Sequence, residues 1–273
     1  MKTFFNPASI AVIGATPREG SLGGQILTNL RYGYTGRLYP VNPNYADIQT
    51  LPCYPAVEKI PGPVDLAIVI VPAPAVPEAL AACGRKGIRR VIIESAGFAE
   101  TGPEGRALQN RCLAIARKAG IRLWGPNCMG LVDIPKKFFF TFMHPNIHKD
   151  GLIEGRISMV VQSGMLSAGF LTDLMSERAV GIAKACSIGN KWISMNATCW
   201  NICLKTNRRT PSPCTWNRLC GGANFWSWRT GRKNRSSCSK AAKARRAPKR
   251  LCRTLPAWPA MPGCRILFCR WPA

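Results

Sequence analysis

The chain has 273 residues, 47% of them hydrophobic, with a formal net charge of +25. That length accommodates one large or two ordinary domains, and no apolar run reaches the about 18 residues of a membrane-spanning helix. The charge is unevenly placed: residues 1–190 carry 20 Lys and Arg against 13 Asp and Glu, whereas residues 191–273 carry 18 Lys and Arg and no acid. Eight of the 13 cysteines and seven of the eight tryptophans also fall after position 190. The opening "MKTFFNPASIAVIG" has one Lys, an early Pro and an apolar run that enters a glycine turn. It does not read as a signal peptide, so a cytoplasmic protein with reduced cysteines is expected.

In chain order, "SIAVIGA" (9–15) is a short β-branched run closed by Gly and reads as a buried strand. "GRLYPVNP" (36–43) predicts a second strand stopped by Asn-Pro, and "VDLAIVIVPAP" (64–74) a third. "IRRVIIESAGF" (88–98) predicts a fourth, and "GIRLWGPNCMG" (120–130) holds a fifth that ends near Trp124. Helical patterns lie between them at 25–32, 76–84 and 105–119. Strands that are almost continuously apolar and alternate with helices predict a parallel sheet covered on both faces. With right-handed crossovers this is an α/β, Rossmann-like, doubly wound domain.

In such a sheet, ligands bind beyond the carboxyl ends of the strands. Those ends carry Gly14-Ala15-Thr16, Asn42-Pro43, Pro72-Ala73, Ser95-Ala96-Gly97 and Pro126-Asn127-Cys128. The first loop, "GATPREGSLGG", leads into a helix, where backbone N–H groups can cradle a phosphate. A plain strand–helix turn would use the same residues, and both readings stand on the sequence. An NAD site requires an acid at the end of the second strand for the ribose hydroxyl. This chain has Val41-Asn42-Pro43 there and no carboxylate before Asp47. That disfavours an NAD-dependent oxidoreductase and favours another phosphorylated adenine nucleotide.

With these loops in hand, the chain resembles the CoA-binding domain of ADP-forming acyl-CoA synthetases, the acetate–CoA ligase type related to the succinyl-CoA synthetase α subunit. The resemblance is carried, in family order, by "SIAVIGAT", "YTGRLYPVNP", "VDLAIVIVPA", "IIESAGFAETGPEG", "GIRLWGPNCMG" and "GRISMVVQSGMLS". It implies that Gly14, Thr16 and Gly20 hold the CoA phosphates, and that Asn42 and Pro43 flank the adenosine. It implies that Val71, Pro72 and Ala73 line the pantetheine path, with Ser95 and Gly97 nearby. Pro126, Asn127 and Cys128 would sit by the thiol end, Cys128 as a small buried residue rather than a nucleophile. The second, flavodoxin-like domain would begin near Gly151, with "ISMVVQSG" (157–164) as its first strand. Its turn Gln162-Ser163-Gly164 would belong to the phosphate-handling site.

The resemblance also implies a reaction: acyl-CoA + ADP + phosphate ⇌ acid + CoA + ATP, with Mg²⁺, an ATP-grasp domain or β subunit, and a phosphorylated histidine. An imidazole nitrogen is nucleophilic near neutral pH and suits that relay. The family's Ser-His-Thr-Ala and Tyr-x-Glu-Ser motifs are absent here. The two histidines, His144 and His148, lie in "FMHPNIHKDG", where Pro145 opposes a helix. They read as a solvated linker rather than a metal site.

The family pattern stops at Asn190, and no acid follows Glu177. Reading one base upstream tests for a slipped frame. Codons for residues 192–203 can be chosen so that the shifted frame reads M-D-I-N-E-C-D-L-L-E-Y-L, an acidic helix-like segment of the family's kind. "PCTWNRL" (213–219) likewise permits S-M-Y-L-E-S-F, and residues 239–260 permit a segment containing S-H-T-A. One base missing from an A-run at Lys191 would suffice. The expected organisation is therefore a CoA-binding domain over 1–130, a linker over 131–150, the start of the second domain over 151–190, and an out-of-frame, unstructured basic tail over 191–273.

The tail has other readings. "KAAKARRAPKRLCR" (240–253) has the charge for phosphate contacts, but specific nucleic-acid binding is not expected. The tail lacks His and any Cys-x₂-Cys pair, against a zinc site. A stand-alone CoA-binding module, acting as a sensor or partner subunit with an adaptor tail, is the alternative function. No ligase activity is expected of this chain alone.

Overall fold

A computed structural model of the chain describes residues 4–144, 152–177, 181–190 and 266–270. The first elements are β1 (Ser9–Ile13), α1 (Leu22–Gly33) and β2 (Arg37–Val41). Two short strands follow, β3 (Asp47–Ile48) and β4 (Leu51–Pro52), then β5 (Leu66–Val69) and α2 (Val76–Arg85). β6 (Arg90–Ile93), α3 (Pro103–Lys118) and β7 (Arg122–Trp124) complete the first layer set. β2, β1, β5, β6 and β7 lie side by side in that order and every pair is parallel.

The apolar strand sequences are explained by burial on both faces. Ile10 and Val12 of β1 pack with Ile26, Leu27 and Leu30 of α1. Ala11 and Ile13, which point the other way, pack with Val76, Leu80 and Cys83 of α2 and Cys112 of α3. A strand buried on both sides has no polar face and so no alternation. α1 starts earlier than its apolar periodicity suggests because Ser21 caps it, its Oγ accepting the Gly24 N–H at 3.2 Å.

A second sheet follows. β8 (Leu131–Asp133) and β9 (Phe138–Phe140) form an antiparallel pair, and β10 (Glu154–Val161) and β11 (Ile182–Ser187) a parallel one. Helix α4 (Gly164–Glu177) connects β10 to β11. β8 joins the pair by running antiparallel to β11. The stretch from 131, expected as linker, thus carries two strands. Its Phe138-Phe139-Phe140 run is buried, with Phe138 and Phe140 in the same core as Ile10 and Trp124. Residues 145–150, including His148, lie outside the described residues.

Of the tail, residues 266–270 lie within the described residues. β12 (Ile266–Arg270) pairs antiparallel with the free side of β10. An edge strand offers unpaired N–H and C=O groups, and a short β-prone run from elsewhere in the chain can take them up.

The two sheets share one core. Trp124, at the end of β7, donates from Nε1 to the Ser187 carbonyl at the end of β11, 2.7 Å away. The rings of Phe4 and Phe5 lie 5.8 and 6.1 Å from Trp124. Asn29 of α1 donates to the Thr141 and Met143 carbonyls, each at 2.7 Å. The carboxyl ends of β7 and β11 are thereby brought together, which places the loops that follow them at one rim.

Candidate functional site

The strand order reverses at β1: the chain leaves it for β2 on one side and pairs it with β5 on the other. A crevice at such a switch point is where open parallel sheets receive ligands. The loop that enters it begins at Gly14, whose φ of +94° favours glycine. A Cβ there would stand 2.4 Å from the Ile70 carbonyl oxygen. The Gly14 N–H donates to the Val41 carbonyl at 3.0 Å, so the turn is tied to β2 as well.

The sequence-predicted residues fall along one rim, and hydrogen bonds or close contacts link most of them. Asn42 donates from Nδ2 to the Ala15 carbonyl at 2.7 Å, and its Oδ1 accepts the Asn44 N–H at 3.0 Å. Its amide is therefore engaged within the protein and fixes the glycine loop against the end of β2. Ser95 Oγ donates to the Val71 carbonyl at 2.6 Å, joining the loops after β6 and β5. Gly97, at φ +105°, lies against Ala73. The Asn127 N–H donates to the Ser95 carbonyl at 2.9 Å, joining the loops after β7 and β6. Ala73, Ser95, Pro126 and Cys128 are buried; Gly14, Thr16, Asn42, Val71, Gly97 and Asn127 are half-buried; Gly20, Pro43 and Pro72 are exposed. Thr16 Oγ1 accepts the Arg18 N–H at 3.2 Å within the glycine loop, whereas an added Cβ at Gly20 would meet nothing within 4 Å.

Cys128 donates from Sγ to the Ile93 carbonyl at 3.3 Å. Burial, and to a lesser extent the neighbouring Glu94, push its thiol far above the usual range. A thiol kept protonated is a poor nucleophile, so the chemistry available at Cys128 is packing.

Two acids at this rim escape sequence reasoning. Glu94, the residue after β6, is 4% exposed, and neither carboxylate oxygen has a hydrogen-bond partner. Burial raises its pKa well above the ordinary carboxyl value, so the neutral acid is favoured. A lone acid inside "RVIIES" is the only trace in the sequence, and it reads equally as a polar strand end. Glu100 is exposed and collects three donors. One oxygen accepts the Gly97 and Phe98 N–H groups at 2.7 and 3.1 Å, and the other accepts the Asn190 amide. Asn190 follows β11, so its approach to this rim depends on tertiary structure alone.

The second sheet contributes its own strand ends. The Gly189 and Ile188 N–H groups donate to Gln162 and Val161 at 3.0 and 2.9 Å, and the Asn190 N–H donates to Pro126 at 2.9 Å. The turn Gln162-Ser163-Gly164 at the start of α4 therefore stands beside the loop after β7, with an added Cβ at Gly164 lying 3.3 Å from Met129. Among the described residues, no helix is long and apolar enough to cross a membrane.

Comparison with known proteins follows the same geometry. Residues 8–133 match the family model described as a CoA binding domain. The acetate–CoA ligase (ADP-forming) I of Archaeoglobus fulgidus is 42% identical over 191 residues, which is 70% of this chain and 27% of that protein. The α subunit of acetate–CoA ligase (ADP-forming) II from Pyrococcus furiosus is 40% identical over 187 residues, 68% of this chain and 39% of that subunit. A solved structure of the dinucleotide forming acetyl-coenzyme A synthetase 1 of Ca. Korarchaeum cryptofilum, in complex with phosphate and ADP, superposes with a TM-score of 0.70 at 31% identity. That match covers 77% of this chain and 44% of the solved one. The chain thus spans between about a quarter and two-fifths of the length of these curated relatives. The parallel sheet, the glycine loop at its switch point and the family match identify residues 8–133 as a member of the CoA binding domain family, in a chain similar over 187–191 residues to ADP-forming acetate–CoA ligases.

Proposed function

We propose that this chain is the CoA-binding portion of an ADP-forming acyl-CoA synthetase, and that its sequence leaves the synthetase reading frame at Lys191. The observation that carries the binding function is the continuous rim from Gly14 through Asn42, Val71 and Ser95 to Asn127, hydrogen-bonded or closely packed from strand end to strand end. Such a rim suits a long ligand with phosphates at one end and a thiol at the other. The backbone N–H groups of the loop after β1 and the start of α1 hold the phosphates. Asn42 keeps that loop in shape, and Pro43 flanks the adenosine. Val71, Pro72 and Ala73 face the pantetheine, whose amides pair with backbone while its methylenes lie on apolar side chains. Ser95 and Gly97 stand beside that path. Pro126, Asn127 and Cys128 close the thiol end, where Cys128 fills volume.

The whole family reaction converts acyl-CoA, ADP and phosphate to acid, CoA and ATP through a phosphohistidine, with Mg²⁺ and an ATP-grasp domain or partner subunit. The frame reading is supported by the place where acids cease and by matches of 186–196 residues in a chain of 273. On this reading 1–130 is the CoA-binding domain, 151–190 begins the second domain, and the phosphorylated histidine is lost with the frame. ATP, ADP and Mg²⁺ then have no site in this chain alone.

Titration calorimetry of the purified chain tests the reading. Saturable CoA binding with no NADH binding is expected; NADH binding without CoA binding would overturn it. Synthesis of acyl-CoA by the chain alone would overturn the loss of the histidine. The nucleotides at codons 188–193 test the frame directly: adding one base to the A-run should restore the acidic segment.

A further inference from the structure

We propose that Glu100 and Asn190 form a latch that holds the loops after β6 and β7 in the shape that receives the thiol end of CoA, with Glu100 as the positioning residue. The inference rests on the reading of this rim as the CoA site.

Three loops meet here. The loop after β6 bends at Gly97, and the N–H groups of Gly97 and Phe98 both converge on one oxygen of Glu100. The other oxygen accepts the side-chain amide of Asn190, which belongs to the turn after β11. The Asn190 N–H in turn holds the Pro126 carbonyl at 2.9 Å, and the Asn127 N–H holds Ser95 at 2.9 Å. The ring of contacts closes: Glu100 to Asn190, Asn190 to Pro126, Asn127 to Ser95, and Ser95 back along its loop to Gly97. Gly189 shows how tightly the third loop is drawn in, because a Cβ there would stand 1.9 Å from the Pro126 carbonyl oxygen.

Glu100 is exposed, so packing does not explain its three partners. Partial burial works against the carboxylate, but the Asn190 amide and the backbone N–H groups outweigh it and hold the pKa below the usual value. The acceptor is therefore charged at neutral pH, and charge-assisted hydrogen bonds are the stronger kind. Gly97 lies against Ala73, on the segment read as the pantetheine path. Releasing Glu100 would free that contact as well as the Pro126 loop. Asn190, which lies outside the residues matched by the CoA-binding family model, thus takes part in CoA binding through its side chain.

The test compares the full chain with Glu100→Gln, Asn190→Ala and the double variant Glu100→Gln, Asn190→Asp. A glutamine cannot accept from all three donors, since one of its two polar atoms is itself a donor. Glu100→Gln should weaken CoA binding about tenfold by calorimetry, and Asn190→Ala similarly. The double variant exchanges donor and acceptor: the glutamine carbonyl keeps both backbone N–H groups while its amide donates to the introduced carboxylate. Binding should return to within about threefold of wild type. Unchanged binding in Asn190→Ala, or binding in the exchanged pair no better than in Asn190→Ala, overturns the latch. If either single variant fails to fold, recovery of both folding and binding in the exchanged pair decides in the same way. If wild type does not bind CoA, the reading of the rim falls first. Hydrogen exchange at the Gly97 and Phe98 amides then decides the latch itself: protected in wild type and fast in Glu100→Ala supports it, and equal rates overturn it.

Discussion

At the scale of single residues, the rim is held by groups whose surroundings leave them little freedom. Gly14 combines a positive φ with a carbonyl oxygen where a Cβ would go. Gly14→Ala should therefore cost about 1–2 kcal/mol for the backbone alone, with more for displacing Ile70. A lowered thermal midpoint together with weaker CoA binding is the expected result. Glu94 is a different case. It is buried without a partner, and its pKa is raised, so the folded state binds its proton more tightly than the unfolded one does. The stability it leaves intact is fully present below the unfolded value, about 4.3. Above that pH the unfolded chain ionises first, and stability declines until the pH passes the raised folded value. Urea unfolding of wild type and Glu94→Gln should diverge as pH rises from 5 to 8, with wild type losing more. Parallel curves would mean that the carboxyl finds a compensating partner.

Secondary-structure elements carry the next set of constraints. β8 and β11 are joined by a buried ion pair, Asp133 with Lys184, at 1% and 6% side-chain exposure. The Lys184 ammonium also stands 5.9 Å from the centre of the Phe5 ring. Removing one member leaves the other charged and buried, at a cost of about 3–5 kcal/mol. Asp133→Asn or Lys184→Met alone should thus be strongly destabilising in thermal melts. The double variant Asp133→Leu, Lys184→Met should recover most of the loss, since a buried pair is often replaceable by apolar side chains. The same pair shows why part of the fold was not legible in advance. Its members are 51 residues apart, and "LVDIPKKFFF" shows no sustained period, only three-residue runs broken by Pro and two Lys. By contrast β1, β5 and β6 announced themselves, because a strand buried on both faces must be apolar at every position. α1 was legible in its interior and less so at its start, where Ser21 rather than an apolar residue sets the boundary.

For the whole molecule, the question is how much of the chain was shaped for binding. The matched residues 8–133 hold the glycine loop and all five strands of the parallel sheet. If residues 191–273 are read out of frame, removing them should leave CoA affinity unchanged by calorimetry and reduce turbidity of the concentrated protein. An adaptor tail would instead lose a specific partner on deletion while keeping CoA. Deletion also uncovers the outer side of β10, where β12 now pairs. The affinity measurement should therefore be made at low protein concentration, where edge-to-edge association is weakest.

The sequence by itself determined the parallel sheet, its helices, the glycine loop, the absence of an acid after the second strand and the break in composition after Asn190. These are local signals: periodicity, turn chemistry and charge along the chain. Only the tertiary structure decided that residues 131–133 pair with β11 and 138–140 with β8, that Glu94 is buried without a partner, and that Asn190 reaches Glu100 across 90 positions. Burial and hydrogen-bond partnership between distant segments depend on how sheets are stacked, and no local pattern of residues encodes that.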